Sequence, residues 1–278
     1  MWTDTTRALH ARSGLALPTD FTDAEWAVLE PLLPPASLVG RPRKWPMRRI
    51  VEAMLYLLRG GLPWRMLPPC FPPVSTVRHW FYLWRDNGLW LTINHALLMI
   101  SREMTGREAS PSAGVIDSQS VKTTESGGPR GYDAGKKING RKRHILTDTE
   151  GNLVHALIHT ADIQDRDGAP LLLAEMVTRF PWLRHLFADG GYAGEKLRQA
   201  LRRIGKWTVE IIKRSDVAKG FELLPRRWVV ERTLAWLNRN RRLAKDFEQT
   251  IASATAWLFI ASVQLFIRRI ARPCNHPE

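Results

Sequence analysis

Cysteine is nearly absent from this sequence, which has two, Cys70 and Cys274, among 278 residues. They form no CxxC pair, so neither a zinc ribbon nor a disulfide framework is indicated. The eight histidines form no HExxH or HxH pair, which argues against a zinc hydrolase. We therefore expect a protein of the reducing cytoplasm.

Long apolar runs are also scarce. The first 18 residues mix polar and charged side chains, unlike a secretory signal. The uncharged segment 249–267 resembles a membrane span, but it contains Ser253, Ser262 and Gln264. Its strongly apolar part is shorter than the roughly 20 residues that cross a bilayer. We predict a buried C-terminal helix and no membrane attachment.

Acidic residues are outnumbered, with 27 Asp and Glu against 41 Lys and Arg, and the net charge is +14. Such an excess attracts polyanions, either nucleic acid or an anionic membrane surface. The hydrophobic fraction of 44% and the charged fraction of 24% are ordinary for a folded protein. The length suits two compact units.

The first unit is predicted at 21–101, after an N-terminal arm at 1–20, and consists of helices separated by proline-rich turns. Thr22 and Glu25 have the spacing of a capping box at the start of its first helix. Further helices are predicted at 46–59, 64–67 and 76–86, the last with Ser75 as its cap.

The last of these helices has a polar face: Thr76, Arg78, His79, Tyr82 and Arg85. Together with the short helix before it, this pattern resembles a helix-turn-helix that reads the major groove of DNA. An ordinary helical bundle with solvated charges explains the spacing equally well. The basic excess of the chain favours a DNA-binding domain.

A linker is predicted at 102–113 and a second unit at 114–278. Its strands are predicted at 113–117, 143–147, 153–159, 185–188 and 208–213. Its helices are predicted from the cap residue Asp165 to Arg179, at 195–204 and at 225–243. The order βββαβαβα is that of an RNase H-like α/β domain, a mixed sheet flanked by helices.

Asp117 and Asp189 each follow a run of apolar strand residues, where a carboxylate is costly unless something compensates it. Two carboxylates on adjacent central strands repel each other unless a cation lies between them, and hard oxygen ligands favour Mg²⁺ or Mn²⁺. Glu231, on a helix with a polar stripe suited to phosphate, is the candidate third ligand. The alternatives are a turn or capping role for each aspartate and a surface ion pair between Glu231 and Arg227.

The stretch 127–144 is rich in glycine and densely cationic. It is predicted to place five side chains over a phosphate backbone, namely Lys136, Lys137, Arg141, Lys142 and Arg143. A solvated loop is the alternative. Three further acids are expected to serve as caps and helix-dipole partners, namely Asp162, Asp165 and Asp167.

Four motifs carry a resemblance to a known family: Ile116-Asp117-Ser118-Gln119-Ser120-Val121-Lys122, the Gly-Lys-Lys…Gly-Arg-Lys-Arg-His loop at 135–144, Ala188-Asp189-Gly190-Gly191-Tyr192, and Trp228-Val229-Val230-Glu231-Arg232-Thr233-Leu234-Ala235-Trp236-Leu237-Asn238-Arg239. Together they closely resemble bacterial insertion-sequence transposases of the DDE type, in the group related to the insertion sequence numbered five. The resemblance extends from about Phe21 to Ile267 and includes the Gly-Arg-Pro-Arg and Trp-Arg-Met-Leu-Pro segments of the first unit.

The resemblance implies that Asp117, Asp189 and Glu231 form a catalytic triad that binds two Mg²⁺ or Mn²⁺ ions. By two-metal logic, one ion activates water or a DNA 3′-hydroxyl and the other steadies the leaving oxygen, at a separation of roughly 3.5–4 Å. The expected activity is hydrolysis at the ends of the insertion element followed by strand transfer into target DNA.

The broader superfamily has a Tyr, Arg, Glu, Lys signature around the glutamate. Here Arg227 and Glu231 match it, whereas Leu224 and Asn238 occupy the outer positions. Asn238 agrees with the group related to the insertion sequence numbered five. The resemblance therefore still implies a metal-binding role for Glu231, but no lysine contact to DNA is expected at position 238.

The residues predicted to contact DNA are Arg41, Arg43, Lys44, Arg78, Arg85, Lys122, Lys136, Lys137, Arg141, Lys142, Arg143, His144, Tyr192, Arg227, Asn238, Arg239 and Arg242. The expected partners are the terminal repeats of the element, the target DNA and a second copy of the chain, with the protein in the cytoplasm at the nucleoid. Two rival functions stay open. An RNase H-like nuclease explains the acids but not the helical first unit, and a helix-turn-helix regulator leaves the acids without a reason.

Overall fold

The computed structural model describes residues 3, 14–35, 42–212 and 227–272. Within these ranges the first unit is all helical, as predicted, and we call its helices the helical head. They are α1 (Asp23–Leu29), α2 (Met47–Gly60), α3 (Val74–Asp86) and α4 (Leu89–Glu103), with single 3-10 turns at Glu30–Leu32 and Trp64–Met66.

The ends of the head helices follow local chemistry. The capping box is confirmed, because the Glu25 N–H donates to the Thr22 hydroxyl at 3.1 Å and the Thr22 N–H donates to the Glu25 carboxylate at 3.0 Å. The predicted Ser75 cap is wrong. Helix α3 begins two residues earlier than predicted, at Val74, and the residue at the cap position is Pro73.

The second unit is built on one six-stranded mixed sheet. Its strands are β1 (Ala113–Lys122), β2 (Gly131–Asp133), β3 (Ile138–Asp148), β4 (Leu153–Thr160), β5 (His185–Ala188) and β6 (Thr208–Ile211). The order is β2-β3-β1-β5-β6, with β4 also paired to β3. The pairs β1–β3, β2–β3 and β3–β4 are antiparallel, and β1–β5 and β5–β6 are parallel.

The helices of the second unit flank this sheet, so the predicted RNase H-like α/β class is confirmed. They are α5 (Asp165–Arg179), α6 (Glu195–Ile204), α7 (Arg227–Asn238), α8 (Arg241–Ala244) and α9 (Ile251–Ile270). Strands β1 and β3 are longer than predicted, and the short β2 was not predicted.

Two helix predictions need correction. Asp165 is the first residue of α5, and the residue at the cap position is Gln164. The helix predicted at 225–243 is interrupted after Asn238, where the Asn240 side chain turns back to the Leu237 carbonyl at 3.2 Å. The predicted ends at Lys213 and Pro225 lie outside the described residues.

The predicted buried C-terminal helix is confirmed by α9, which has the length and apolarity of a membrane span but has 72% of its apolar window inside the protein. It packs against all four head helices and against β4. The Trp257 ring stacks on Phe81 with centroids 4.5 Å apart, and Trp64 lies against both rings. One hydrophobic core therefore runs from the head into the sheet.

Buried arginines join the sheet to the segments around α8. Arg141 and Asp246 are 0% and 1% exposed at the side chain and form an ion pair at 3.1 Å. The Arg141 guanidinium also donates to the Pro129 and Gln249 carbonyls at 2.8 and 3.0 Å. Arg143 is equally buried and donates to the Leu243 carbonyl at 2.6 Å. Strand β3 is thus fixed to the chain that follows Glu231.

Asp246→Asn is expected to destabilise the protein by about 3–5 kcal/mol, because it leaves the buried Arg141 charge uncompensated. Urea unfolding of the full chain measures this change. The matched control is Asp86→Asn at the exposed Arg85–Asp86 pair, which should leave the unfolding midpoint unchanged. Equal midpoints for the two variants would contradict the assigned importance of the buried pair.

Stability is also expected to fall in mild acid through His155 on β4. Burial lowers the pKa of His155 to about 4, against the opposing effect of Glu175, whose carboxylate lies 3.1 Å away. Above the unfolded-state pKa of about 6.5, His155 is neutral in both states and its contribution to the free energy of unfolding is fully present. Because the folded-state pKa is depressed, the free energy of unfolding falls as the pH is lowered toward 4.

Urea unfolding at pH 7.5 and pH 5 should give a difference in stability that is about 2 kcal/mol smaller for His155→Gln than for the wild type. His185→Gln, at a more exposed histidine on β5, should keep the wild-type difference. A wild-type pH response in His155→Gln would show that this ring is not responsible.

Candidate active site

Asp117 lies on β1 and Asp189 directly follows β5, the two parallel neighbours at the middle of the sheet. The parallel pairing of β1 with β5 ends at Val115 and Phe187, and each aspartate follows two residues after its member of that pair. Neighbouring strands are roughly 4.8 Å apart. The topology therefore places two carboxylates side by side, as the sequence predicted.

Each aspartate accepts a hydrogen bond from the backbone. The Ser118 N–H donates to Asp117 at 2.7 Å, and the Gly191 N–H donates to Asp189 at 2.8 Å. Asp189 caps a 3-10 turn over Gly190–Tyr192, so the capping alternative for this residue is also present. These bonds fix Oδ1 of each carboxylate.

The charge of Asp117 is poorly compensated. Burial raises the pKa of Asp117 to about 6, and the neighbouring Asp189 charge adds to that effect. The Ser118 N–H and the cations Lys136 and Arg227 act in the opposite direction. A carboxylate in this state gains from a further cation nearby.

Glu231 lies on α7 with its side chain 51% exposed. Its partner is Arg227, whose Nε is 3.2 Å from Glu231 Oε1 and whose Nη2 is 3.8 Å from Asp189 Oδ2. The helix ion pair considered from sequence is therefore present. The same guanidinium links the third predicted acid to the second.

The donor chemistry of the three acids fits a hard divalent cation, because all are carboxylates and two of them repel each other. As they stand, however, no three His, Cys, Asp or Glu side chains of the described ranges lie close enough together to hold a metal ion. Glu231 is turned to Arg227, so a cation would need it to exchange that partner.

Charged side chains next to Asp117 form hydrogen bonds to Ser118, the following residue of β1. Asp165 accepts from the Ser118 hydroxyl at 2.7 Å and pairs with Lys142 at 2.9 Å. The Lys136 amine donates to the Ser118 carbonyl at 3.1 Å. Asp165 was expected to be only a cap, and its sequence position before a helix gave no signal of this role.

Lys142 also reaches Asp133 at 3.4 Å. Although burial acts to raise the pKa of Asp133, the Ser120 hydroxyl, the Lys136 N–H and Lys142 together hold it at about 2. Asp133 is therefore ionised and anchors the turn that carries Lys136. The sequence analysis did not single out Asp133, because its partners come from β1 and β3.

Tyr192 and His144 are buried against each other, with Tyr192 Oη 3.2 Å from His144 Nδ1. The His144 ring packs against the His159 ring at a tilt of 32°, with centroids 4.8 Å apart. Both Nε2 atoms face Gly168, where an added Cβ would lie 2.5 and 2.7 Å from them. This packing explains the glycine and corrects the prediction that Tyr192 and His144 contact DNA directly.

Four predicted DNA contacts are buried cations with protein partners: Arg141, Lys142, Arg143 and Arg242. Arg242 donates to the Leu62 carbonyl at 2.6 Å, pairs with Glu248 at 2.7 Å and lies over the Trp257 ring. The positive charges of these four side chains are compensated by carbonyl and carboxylate groups of the protein, and these bonds stabilise the fold. Direct contact with a phosphate backbone is not available to them in this arrangement.

The other predicted DNA contacts fall into two groups at or near the surface. Those of the helical head are Arg43, Lys44, Arg78 and Arg85, and those of the second unit are Lys122, Lys136, Lys137, Arg227, Asn238 and Arg239. Arg78 and Arg85 both lie near the Tyr82 ring on α3. Arg41 lies outside the described residues.

Comparison with known proteins places this geometry in a family. A family profile described as Transposase DDE domain matches residues 108–266, more than half of the chain. A second, described as Putative transposase of IS4/5 family, matches residues 21–94 of the helical head. No solved structure gives a significant match.

Two curated relatives come from Burkholderia cepacia. The "Putative transposase for insertion sequence element IS402" is 36% identical over 121 residues, which cover 40% of this chain and 54% of the relative. The "Insertion element IS402 uncharacterized 16.2 kDa protein" is 32% identical over 111 residues, 38% of this chain and 74% of the relative. The chain thus spans about half the length of the first relative.

The three acids lie within the region that matches the DDE domain, and most of the helical head lies within the second matched region. The resemblance seen in the motifs is confirmed, and the chain belongs to the family of the transposase DDE domain, in its IS4/5 type.

Proposed function

We propose that the protein is a DNA transposase that binds the ends of its insertion element and catalyses metal-dependent phosphodiester hydrolysis and strand transfer. The observation that carries the proposal is that Asp117 and Asp189 each lie two residues beyond the last pair of the parallel strands β1 and β5, within the region that matches the DDE domain. Arg227 connects Asp189 to Glu231 from α7, which gives the third acid a place at the same site.

Asp117, Asp189 and Glu231 are the residues that would hold divalent metal. When bound, Mg²⁺ or Mn²⁺, as two ions, supplies Lewis-acid activation of the attacking oxygen and charge stabilisation of the leaving oxygen. The protein contributes rigidity, because the backbone N–H groups of Ser118 and Gly191 fix one oxygen of each aspartate. No covalent enzyme intermediate is needed, so the site suits both hydrolysis and joining.

The cations beside the acids have separate tasks. Arg227 balances Asp189 and Glu231 and is free to turn to a DNA phosphate if the acids take up metal. Lys136 is held by its bond to the Ser118 carbonyl and faces the same region. Lys122, Lys137 and Asn238 extend this DNA-contact surface.

The helical head, within 21–101, is proposed to recognise the element ends as a helix-turn-helix-like domain, with 102–113 as the linker to the catalytic domain at 114–278. Arg43, Lys44, Arg78 and Arg85 are its proposed DNA contacts. Two copies are proposed to act together, because two element ends must be joined, in the cytoplasm at the nucleoid.

Asp189→Ala and Asp117→Asn are expected to abolish cleavage and joining of labelled DNA that carries the element ends, by 10³-fold or more, on the order of the loss when an essential catalytic group is removed. Cleavage products should appear with Mg²⁺ or Mn²⁺ and vanish with EDTA. The matched control is Asp23→Asn, at an exposed aspartate of α1, which should keep wild-type activity.

The outcomes separate the rival functions. Metal-dependent cleavage without joining would replace the proposal with an RNase H-like nuclease. DNA binding without cleavage under any metal condition would replace it with a non-catalytic regulator. Full activity of Asp189→Ala would remove the triad from the mechanism altogether.

Lys136→Ala is expected to slow cleavage on the order of 10²-fold, because a fixed cation near the reacting phosphate is lost. Circular dichroism should show unchanged folding, since Lys136 lies on a surface turn between β2 and β3. Lys196→Ala, which breaks the exposed Lys196–Asp167 pair, is the matched control and should cleave normally. Unchanged cleavage by Lys136→Ala would exclude a role at the phosphate.

A further inference from the structure

The Ser118 hydroxyl joins β1 to two other segments of the chain. It donates to Asp165 Oδ1, at the start of α5, at 2.7 Å. It accepts from the Lys136 amine at 3.4 Å, and the same amine donates to the Ser118 carbonyl at 3.1 Å. Ser118 is 6% exposed, so protein groups and not water satisfy this side chain. The residue that follows Asp117 is therefore held from two sides.

Asp165 is itself fixed by a buried cation. The Lys142 amine is 2.9 Å from Asp165 Oδ1, 3.4 Å from Asp133 Oδ2 and 2.8 Å from the Ile163 carbonyl. An ammonium group has three N–H donors, and these three oxygens use all of them. Although burial acts to raise it, the pKa of Asp165 is lowered by the hydrogen bonds from Lys142 and Ser118. Asp165 is therefore a charged acceptor in a fixed position.

The other oxygen of Asp165 lies beside the second acid of the site. A Cβ added to Gly191 would be 3.0 Å from Asp189 Oδ1 and 3.5 Å from Asp165 Oδ2, so these two oxygens are no further apart than the sum of the two distances. The same neighbourhood is visible at Tyr192. Burial raises the pKa of Tyr192, and the charges of Asp117, Asp165 and Asp189 raise it further. Three carboxylates thus lie around one buried hydroxyl.

The Ser118 hydroxyl acts on Asp117 through the backbone. Successive side chains of a strand point to opposite faces of the sheet, so this hydroxyl lies on the other face of β1 from the Asp117 carboxylate. The link between them is the Ser118 N–H, which donates to Asp117 Oδ1 at 2.7 Å. A shift of the Ser118 backbone would therefore move the carboxylate with it.

We propose that Ser118 and Asp165 are positioning residues, which hold the Asp117 carboxylate in a fixed place relative to Asp189 before a divalent cation binds. The inference rests on the proposed function, because it takes the two aspartates to be ligands. Groups that orient a ligand by hydrogen bonding raise the affinity of a site for its metal ion without touching the ion. The bond between Ser118 and Asp165 has this place here, since one partner follows Asp117 and the other borders Asp189.

The test measures the affinity of the full-length protein for Mn²⁺ without DNA, by electron paramagnetic resonance of the free ion. Ser118→Ala should weaken Mn²⁺ binding by about 10–100-fold, the range for loss of a group that orients a ligand. Ser118→Thr keeps the hydroxyl and should bind nearly as tightly as the wild type. The matched control is Ser262→Ala on α9, which removes another buried hydroxyl, the donor to Asn94 Oδ1 at 2.6 Å, and should keep the wild-type affinity.

Asp165→Ala should cause a loss of similar size, and adding Ser118→Ala to it should weaken Mn²⁺ binding little further, because both changes break the same bond. If Asp165→Ala does not fold, the serine variants decide alone. Equal Mn²⁺ affinities for Ser118→Ala and Ser262→Ala overturn the proposal, since loss of any buried hydroxyl would then have the same effect. Weak binding by a Ser118→Thr variant with the wild-type Tm also overturns it, because the hydroxyl would not be the cause.

The readout needs no catalysis, so the two proposals fail in different ways. A wild type that binds Mn²⁺ but neither cleaves nor joins DNA rejects the proposed function, and a lower affinity of Ser118→Ala still supports the positioning role. Normal cleavage by the wild type, combined with equal affinities of Ser118→Ala and Ser262→Ala, rejects the positioning role and leaves the proposed function intact. A wild type that binds no Mn²⁺ rejects both.

Discussion

The burial of the Asp117 carboxylate next to a second carboxylate, Asp189, is the constraint on which the arrangement of the candidate site depends. Asp117 and Asp189 lie near each other because β1 and β5 are parallel neighbours and each aspartate lies two residues beyond their last pair. Burial is the main cause that raises the pKa of Asp117 to about 6, and the neighbouring Asp189 charge adds to it. Cations and backbone N–H donors from other parts of the chain therefore lie around the two carboxylates.

The compensating groups come from distant parts of the sequence. Arg227 lies on α7, and Lys136 lies on the turn before β3. Asp165, at the start of α5, forms an ion pair with Lys142. The basic excess of the chain is accordingly divided between two purposes. Part of it is buried as counter-charge, and the rest is left for a polyanion.

The sequence analysis singled out Asp117 and Asp189 because a carboxylate at the end of an apolar strand is costly unless something compensates it. Strand β5 and helix α6 were also predicted with their observed bounds, since apolar runs and glycine stops are local signals. By contrast, Arg141 and Lys142 were assigned to DNA because a cationic loop and a buried cationic strand have the same composition. Only the pairing of β3 with β1 and β4, and the partner Asp246, distinguish the two. Such long-range pairings leave no mark on local spacing.

The placement of the helical head relative to the triad follows from the end of the chain. Helix α9 comes after Glu231 in sequence but packs among the head helices and on β4. The predicted linker is also tied down, since Arg102 at its start pairs with Asp148 at 2.7 Å and Arg107 with Glu150 at 3.0 Å. The helical head is therefore fixed relative to the sheet at two places, by the ion pairs of the linker and by α9. DNA held by such a head would meet the acids in one fixed geometry, which reduces the orientational entropy lost at the reacting phosphate.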